Sequence, residues 1–418
     1  AMARLVMKFG GTSVADIEHI RNVAAHVKRE VEAGHEVAVV LSAMAGTTNQ
    51  LVQWARETAP LHDAREYDTI VASGEQITIA LLSIELQRIG VSARSWLGWQ
   101  IPIRTDSAHG AARIEEIDGS ELASRLSQGQ VAVIAGFQGI GPDNRITTRG
   151  GSDTSAVAIA AALNADLCDI YTDVDGVYTT DPRIVAKAQK LDKISYEEML
   201  EMASLGAKVL QTRSVELAMV HRVRLQVRSS FDAPDVPHTA YGAGGNGPGT
   251  LVCDEDEIVE QQVVSGIAYS KDEAKVTLVK VEDKPGVAAR VFGPLADNSI
   301  NVDMIIQNVS DDGRSTDMTF TVPQAELPLA VAVIRKAQKE IVYKDLKTDT
   351  NVVKVSVIGI GMRSHAGVAQ IMFRTLAEKG INIQAITTSE IKVSVLISSD
   401  YTELAVRALH TAYGLDAD

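Results

Sequence analysis

The most constraining feature of the sequence is a short polar run near its start, Lys8-Phe9-Gly10-Gly11-Thr12-Ser13. It follows an apolar strand pattern at residues 5–7 and precedes a helical spacing of apolar residues from Val14 to Val31. Backbone N–H groups and the dipole at a helix N-terminus favour an anion, and glycine allows the backbone to approach it closely. The lysine adds a mobile positive charge. The run therefore predicts a phosphate site, although a tight turn without a ligand stays open as an interpretation.

Strand and helix patterns alternate along the N-terminal part of the chain. The apolar runs that suit buried parallel strands lie at residues 37–41, 131–135 and 167–171. Helical patterns lie at residues 16–33, 74–89, 119–127 and 153–163. This alternation predicts an α/β fold with a mostly parallel sheet. Ligands of such folds bind beyond the C-terminal ends of the strands, which is where the polar motifs fall.

The size and charge of the chain limit the classes of protein to consider. A length of 418 residues suggests two or three domains of about 150 residues each. The net charge of −14 argues against nucleic acid or an anionic membrane as the main partner, since both attract basic surfaces. Cys168 and Cys253 make no disulfide framework, and the sequence shows neither an apolar run of about 18 residues nor a signal peptide. We therefore expect a cytoplasmic protein.

A second glycine pair, Gly150-Gly151, leads into an apolar helix and is flanked by Arg149 and by Ser152-Asp153. Asp153 suits an N-cap or a first-turn position, and Arg149 could hold a carboxylate or phosphate with two hydrogen bonds. Two such helix starts in one sheet suggest a site for two anionic groups.

Two further helix starts carry polar residues. In the run from Ser42 to Asn49, Thr47 or Thr48 could be an N-cap, a ligand contact or both. Glu75 falls in the first turn of the next helix, where the helix dipole alone would favour it.

The segment from Tyr171 to Arg183 follows a strand and is rich in turn-forming residues. Its Asp-x-Asp-Gly pattern lacks the remaining ligand spacing of an EF-hand, so we do not interpret it as a calcium site.

The three motifs together, Lys8 to Ser13, Gly150 to Thr154 and Tyr171 to Val177, resemble those of the aspartokinases, members of the amino acid kinase superfamily. The resemblance covers essentially the whole chain. It implies transfer of a phosphoryl group from MgATP to the β-carboxylate of L-aspartate, giving 4-phospho-L-aspartate. This is the first step of lysine, threonine and methionine biosynthesis.

The resemblance also assigns roles to individual residues. Lys8, Asp153 and Lys208 are expected to act in catalysis, with Asp153 organising the lysines or the metal-bound phosphates. L-Aspartate is expected to meet Ser42, Thr48, Glu75 (at its ammonium), Arg149 (at a carboxylate) and Ser152. The nucleotide is expected to meet Lys8, Phe9, Gly10, Gly11, Ser13, Thr172, Asp173, Tyr178, Asp181, Pro182, Arg183 and Lys208. ATP and Mg²⁺ are the implied cofactors, and no side chain is assigned as a metal ligand. The carboxylate nucleophile is already ionised at pH 7, so no general base is needed.

One departure from the family pattern precedes Arg149. The family usually reads Thr-Thr-Leu-Gly-Arg-Gly-Gly-Ser-Asp, whereas Thr147-Thr148 here runs directly into Arg149-Gly150. A genuine deletion would shorten the loop that carries the substrate arginine. The alternative is that two mobile residues are missing from the sequence, and this is the interpretation we favour because the surrounding pattern is intact.

Past residue 230 the composition changes. Residues 231–249 are rich in proline and glycine and predict a mobile surface loop, and the acidic run 254–257 suits a solvated turn. A domain boundary is expected near residues 257–265.

The C-terminal third then contains an internal repeat, in which Gly286 recurs as Gly367 and Asn301 as Asn382, an offset of 81 residues in both cases. Each copy reads as a β-α-β-β unit.

This repeat resembles a pair of ACT domains, which bind amino acids at domain interfaces. The loop at residues 283–286 and the helix behind it could hold an α-carboxylate, and Asp283 or Asp303 an ammonium. The effector contacts implied are Asp283, Lys284, Pro285, Gly286, Val287, Ala288, Asn301, Val302, Asp303, Gln307, Asn382, Ile383, Thr388 and Ser389. Lysine, and threonine as a second candidate, are the implied effectors. Open ACT sheets usually pair across chains, so a homodimer or a higher oligomer is expected.

The expected architecture is an amino acid kinase fold at residues 1–256 followed by two ferredoxin-like ACT domains at residues 257–345 and 346–418. Two alternatives remain beside a feedback-regulated aspartate kinase. One is a kinase of the same superfamily with another acceptor, and the other is an amino-acid sensor without catalytic activity.

Overall fold

The computed structural model describes residues 2–107, 113–142, 144, 146–148, 151–205, 209–234, 248–258, 263–309 and 314–417. The chain divides into two compact units. The first unit consists of Ala1–Val177 and Lys190–Val259, and the second of Tyr178–Gln189 and Glu260–Asp418. The chain therefore leaves the first unit after Val177 and returns to it at Lys190.

Strands and helices alternate in the first unit, as the sequence predicts. Its strands are β1 (Arg4–Phe9), β2 (Glu36–Leu41), β3 (Ala93–Trp96), β4 (Ile103–Thr105), β5 (Ile114–Ile117), β6 (Val131–Ala135), β7 (Gln138–Ile140), β8 (Ile146–Thr148), β9 (Leu167–Thr172), β10 (Lys193–Ser195), β11 (Leu225–Ser229) and β12 (Thr250–Cys253). Its helices are α1 (Ile17–Glu32), α2 (Thr47–Thr58), α3 (Ala64–Val71), α4 (Ser73–Arg88), α5 (Ser120–Ser127), α6 (Ser152–Ala162), α7 (Tyr196–Ser204) and α8 (Thr212–His221).

Eight of these strands form one sheet in the order β10-β12-β11-β9-β1-β2-β6-β3, in which only the β11–β12 pair is antiparallel. The predicted α/β fold with a mostly parallel sheet is confirmed. Apolar side chains of α1 and α4, among them Ile20, Val27 and Leu82, pack on one face of this sheet around Met7 and Val39. Strands β5, β4, β7 and β8 form a smaller second sheet in that order.

Helices α3 and α4 follow each other closely along the chain. Among the described residues, the stretch Ala64–Arg88 is long and apolar enough to cross a membrane, judged by length and composition alone. Half of its most apolar window is buried inside the protein, as in a helix that belongs to a protein core.

The second unit contains two further sheets. Its strands are β13 (Gly266–Ser270), β14 (Ala274–Glu282), β15 (Asp303–Val309), β16 (Ser315–Val322), β17 (Asp345–Asp349), β18 (Val352–Ile358), β19 (Ala385–Thr388) and β20 (Lys392–Ser398). Its helices are α9 (Val287–Asp297), α10 (Leu327–Lys336), α11 (Val368–Glu378) and α12 (Thr402–Ala412). Each sheet has four strands, in the orders β15-β16-β14-β17 and β13-β18-β20-β19. The repeated β-α-β-β units are present at β14-α9-β15-β16 and β18-α11-β19-β20.

The strand β13 departs from the expected order of the two repeats. It lies within the predicted first ACT domain, residues 257–345, but pairs antiparallel with β18, placing Ile267 opposite Val357 in the second sheet. The first β-α-β-β unit is therefore inserted between the first strand of the second sheet and the rest of that sheet. The period of two along a strand shows which face is buried but does not identify the neighbouring strand, so the sequence could not reveal this pairing.

Two expectations about the connecting segments have different outcomes. Most of the predicted mobile loop at residues 231–249, namely residues 235–247, lies outside the described residues. The acidic run forms a short 3₁₀ helix, Glu255–Glu257, that the Asp254 carboxylate caps by accepting from the Asp256 N–H.

The core of the second sheet offers a direct test of this packing. Leu376 of α11 is fully buried among Val355, Val395 and Leu409. We expect Leu376→Ala to lower the free energy of unfolding by about 2–5 kcal/mol, because it leaves a cavity in a packed core. Leu404→Ala on α12 is the matched control, since Leu404 is 42% exposed. Urea unfolding followed by circular dichroism measures both changes, and equal shifts in the two variants would contradict this core.

Candidate active site

Lys8 and Asp153 form an ion pair at the C-terminal edge of the large sheet. Their Nζ and Oδ1 atoms are 2.6 Å apart, and each side chain is 11% exposed. Lys8 lies within strand β1, between Val40 of β2 and Ile170 of β9, whereas the sequence pattern placed it after the strand. Asp153 lies in the first turn of α6, where the helix dipole favours a carboxylate. The pair thus combines a fixed cation with a helix N-terminus.

A cavity of about 540 Å³ opens beside this ion pair. It is lined by Lys8, Asp153, Ile170, Thr172, Ala203, Val209, Leu210, Gln211 and Thr212. Ile170 and Thr172 are two residues apart on β9, so they face the same side of the sheet as Lys8. The cavity has the size of a small-molecule site with a few convergent polar groups.

The glycine turn after β1 adopts a different form from the predicted one. Residues Gly11–Val14 form a 3₁₀ turn, and α1 begins only at Ile17, capped by the Asp16 carboxylate. The segment directly after β1 is therefore this turn, and the N-terminus of α1 lies further along the chain. A Cβ added at Gly11 would lie 3.2 Å from the Ala43 carbonyl oxygen, so this close approach of two backbone segments favours glycine.

The loop after β2 contacts both the glycine turn and the start of α6. The Ser42 and Ser152 hydroxyls are 2.6 Å apart and share a hydrogen bond. Gly151, the N-cap of α6, has φ +80°, and a Cβ there would collide with the Gln211 side chain. Neither Thr47 nor Thr48 caps α2, because its N-cap is Gly46 with φ 78°. The cap interpretation of these two threonines is wrong, and the interpretation of Thr48 as a ligand contact remains a prediction.

Glu75 is a buried carboxylate at the start of α4. It is only 4% exposed, and its Oε1 accepts a long hydrogen bond of 3.4 Å from the Ala43 N–H. Its Oε2 is buried and has no hydrogen-bond partner among the described residues. Burial raises the pKa of Glu75 to about 7, against a weaker opposing effect of backbone N–H groups. A buried acceptor of this kind suits a cationic ligand group.

The opposite face of β1 and β9 is packed with aromatic rings. Phe9 stacks on Tyr171 with ring centroids 4.4 Å apart, and the Arg228 guanidinium lies 5.3 Å from the Tyr171 centroid. Burial raises the pKa of Tyr171 well above its usual range. Because Phe9 is fully buried on the face opposite Lys8, only its backbone is available to a ligand in the cavity.

Two predicted site residues, Arg149 and Lys208, lie outside the described part of the chain, as does the position of the two-residue shortfall. Their neighbours are described. Thr148 Oγ1 donates to the buried Asp68 carboxylate, and Val209 lines the cavity.

The predicted nucleotide segment is divided between the two units. Thr172 Oγ1 donates to Asp173 at 3.1 Å in the first unit. Tyr178, Asp181, Pro182 and Arg183 belong to the second unit. There Asp181 pairs with Arg183 at 2.8 Å, an interaction that lowers the Asp181 pKa.

The predicted effector residues in the first repeat gather around the start of α9. Gly286 is the N-cap of α9 with φ 89°, and Lys284 to Ala288 surround this helix start, as the sequence predicts. The Asp303 carboxylate is already engaged, because Lys354 Nζ donates to its Oδ2 at 2.7 Å and to Glu273 at 2.8 Å. Burial by itself raises the Asp303 pKa, but the Lys354 hydrogen bond and charge outweigh it and the pKa is lowered.

The remaining effector residues lie on strands or in loops nearby. Gln307 lies on β15 and Thr388 at the end of β19. Asn301, Val302, Asn382, Ile383 and Ser389 lie in the adjoining loops.

Comparison with known proteins identifies the family. The model of the amino acid kinase family matches residues 3–229, and two ACT domain models match residues 275–338 and 355–413. An aspartate kinase of Pseudomonas putida is 54% identical over 100% of this chain and 98% of its own length. The chain belongs to the aspartokinase family.

Solved structures agree with this assignment. The chain resembles E. coli aspartokinase III in complex with aspartate and ADP, with 28% identity, a TM-score of 0.79 and coverage of 98% of this chain and 99% of that one. The same enzyme in complex with lysine and aspartate matches with a TM-score of 0.74, 27% identity and coverage of 98% and 99%.

Two polar residues of the cavity lining that the motifs did not reveal are Gln211 and Thr212. They follow Leu210 at the start of α8, and Gln211 packs against the Gly151 backbone. The signal available in the sequence was a polar pair opening a helix close to Lys208, the lysine that the aspartokinase resemblance assigned.

The buried Glu75 carboxylate of this aspartokinase gives a pH-dependent prediction. Its pKa in the folded protein is raised above the unfolded value. Burial of the ionised carboxylate therefore lowers the free energy of unfolding only slightly near pH 4.5 and by its full amount above pH 7. We expect Glu75→Gln to raise the free energy of unfolding by up to about 3 kcal/mol at pH 8 and by little at pH 5. Urea unfolding at both pH values measures this difference. Glu66→Gln, at an exposed site, is the control, and a gain for Glu75→Gln that does not depend on pH would contradict the raised pKa.

Proposed function

We propose that this chain catalyses the transfer of the γ-phosphoryl group of MgATP to the β-carboxylate of L-aspartate, giving 4-phospho-L-aspartate in the cytoplasm as the first step of lysine, threonine and methionine biosynthesis. The observation that carries the proposal is the Lys8–Asp153 ion pair beside a cavity of about 540 Å³ at the carboxyl edge of the sheet. Membership of the aspartokinase family and the aspartate and ADP bound by E. coli aspartokinase III support it.

The reaction requires two anions to approach each other. Phosphoryl transfer of this type depends mainly on positioning and on neutralising charge, because the acceptor carboxylate is already ionised at pH 7. Lys8 would contact the transferring phosphoryl group while Asp153 holds its ammonium in place. Gly10, Gly11 and Ser13 would contact the phosphates, and Lys208 would add a second cation.

L-Aspartate would bind next to this phosphate turn. Ser42 and Ser152, already linked to each other, and Thr48 would supply hydrogen bonds, and Arg149 would hold a carboxylate. Glu75 would receive the substrate ammonium. A cation at this position would satisfy the unpaired Oε2 and favour the ionised carboxylate, offsetting the burial that raises its pKa.

Mg²⁺ fits this site as a partner of the nucleotide phosphates. No group of three His, Cys, Asp or Glu side chains with metal-ligand geometry occurs within the described ranges. Magnesium usually keeps several waters and is held by one or two carboxylates together with substrate phosphates, so an all-protein cage is not required. When bound it would neutralise phosphate charge, and Asp153, a carboxylate of the cavity lining, would help to organise it.

The second unit would make the kinase sensitive to an amino acid. E. coli aspartokinase III has been solved with lysine, and this chain carries two ACT domains. Lysine is the effector we propose, with threonine as a second candidate, bound at the start of α9. We further propose a homodimer or higher oligomer formed through the ACT sheets.

The catalytic proposal is tested with hydroxylamine, which traps acyl phosphates as hydroxamates. Incubation with MgATP and L-aspartate should give aspartyl hydroxamate, whereas L-glutamate should give little. Lys8→Ala should lower kcat by about 10²- to 10³-fold, the size expected when one group that stabilises the transition state is lost.

Lys28→Ala is the control for this change, since Lys28 is a partly exposed lysine of α1 that pairs with Glu32. Absence of hydroxamate with every amino acid would refute the kinase activity. Turnover of Lys8→Ala near that of the unsubstituted protein would refute the role of Lys8.

Asp283 and Asp303 are the two candidate carboxylates for the ammonium group of the proposed effector. Asp303 is held by Lys354, whereas Asp283 forms no ion pair with any residue that the structure describes. Asp283 is therefore the carboxylate available for an effector ammonium. Asp283→Asn should raise the lysine concentration that gives half-maximal inhibition by at least about tenfold, as expected for loss of a charged hydrogen bond.

Asp297→Asn, at the exposed C-terminal end of the same helix, is the matched control. The same inhibition midpoint in both variants would exclude Asp283 as the ammonium site.

A further inference from the structure

Residues 178–189, which follow Val177 of the first unit, are held within the second unit by a dense set of hydrogen bonds. The segment closes on itself through Thr179 N to Gln189 O at 2.8 Å. Ile267 N of β13 donates to Thr179 O at 2.7 Å. Apolar side chains of the segment, Val185 above all, pack into the core of the second sheet with Leu409 of α12. The segment is thus built into the second unit.

One buried histidine is central to this attachment. His410 of α12 is fully buried, and its Nε2 lies 2.8 Å from Thr179 Oγ1. Its Nδ1 lies 2.7 Å from Asp416 Oδ1. Thr179 Oγ1 also accepts the Gln189 N–H at 3.0 Å. Since Asp416 can only accept when ionised, the ring proton belongs on Nδ1, which leaves Nε2 to accept the Thr179 O–H.

The order Asp416–His410–Thr179 resembles the hydrogen-bond order of a catalytic triad, but its burial excludes that role. Thr179 is 2% exposed and His410 has no exposed surface, so no substrate can reach the hydroxyl. Thr179 lies near the start of the segment, and its hydroxyl bonds to Gln189 at the end of the segment and to His410, which fixes the conformation of residues 178–189.

The adjoining contacts reinforce this arrangement. Gln189 Nε2 donates to Asp416 O at 2.7 Å, and Arg407 Nε donates to Ile184 O at 2.9 Å. Ala417 N donates to Lys187 O at 2.8 Å. The C-terminal helix and the tail after it therefore contact the segment along its length.

We infer that His410 is a positioning residue for the nucleotide: through Thr179 it holds the segment that carries Tyr178, Asp181, Pro182 and Arg183 in the conformation that binds ATP. The inference rests on the nucleotide role proposed above for these four residues. It assigns to the C-terminal helix of the second ACT sheet a function in substrate binding, in addition to any function in sensing an effector. Loss of this hydrogen bond should weaken nucleotide binding and leave aspartate binding unaffected.

Thr179→Val is the sharpest test, because it removes the hydroxyl while keeping the shape of the side chain. We expect the KM for ATP and the dissociation constant of MgADP, measured by calorimetry, to rise about tenfold, as for one unsatisfied buried hydrogen bond. The KM for aspartate should stay within about twofold of the unsubstituted value. Thr179→Ser, which keeps the hydroxyl, should restore nucleotide binding, and the unchanged KM for aspartate separates this effect from a general loss of stability.

Two further variants separate positioning from folding. Thr402→Val removes another buried hydroxyl of α12, one that donates to Ser399 O, and should leave the KM for ATP unchanged. Arg407→Met acts at a side chain that is 58% exposed, so the protein should fold, and it should raise the KM for ATP about twofold to threefold.

The inference is overturned if Thr179→Val and Arg407→Met both leave the KM for ATP and the MgADP affinity within twofold of the unsubstituted protein. It is also overturned if Thr402→Val weakens nucleotide binding as much as Thr179→Val does. These outcomes differ from failure of the proposed function, in which the unsubstituted protein itself forms no aspartyl hydroxamate.

Discussion

The Lys8–Asp153 ion pair is the interaction around which the first unit is organised. Both groups are largely withdrawn from water, and such a pair contributes little net stability compared with apolar packing. Its value lies in placement. The central parallel strand fixes the lysine, the buried helix α6 fixes the carboxylate, and an incoming phosphoryl group would add negative charge to a lysine that is already oriented. Little reorganisation would then be needed during the reaction.

In the first unit, the polar group whose burial costs free energy is separate from the apolar packing that stabilises the fold. Glu75, at the start of α4, keeps a buried oxygen without a hydrogen-bond partner among the described residues, which costs free energy in the absence of a ligand. On the face of β1 and β9 opposite Lys8, the stack of Phe9 on Tyr171 and the apolar faces of α1 and α4 form a close-packed core. Packing on one face thus stabilises strands whose other face carries the Lys8–Asp153 pair, which contributes little net stability of its own.

Much of the fold followed from local patterns. The predicted helices at residues 16–33, 74–89, 119–127 and 153–163 differ by at most one residue at each end from α1, α4, α5 and α6. The apolar residues of α1 and α5 follow the helical period, whereas α4 and α6 are continuous apolar stretches opened by polar residues. The pairing of β13 with β18 could not be predicted, since it joins residues far apart in sequence that no local pattern connects. The Lys8–Asp153 contact could not be predicted either, since the sequence reveals each motif but not the distance between the two side chains.

Thr179 contacts two elements that are far from it in the sequence, β13 and α12. Its carbonyl accepts from Ile267 of β13, and its hydroxyl meets His410 of α12, so one residue touches both the unexpected strand and the C-terminal helix. An amino acid bound to the second unit can change nucleotide affinity only if it binds two arrangements of that unit with different affinity. A change from one such arrangement to the other would act on the 178–189 segment through the hydrogen bonds of Thr179. Because linkage is reciprocal, a nucleotide held by that segment would change the affinity for the effector by the same factor.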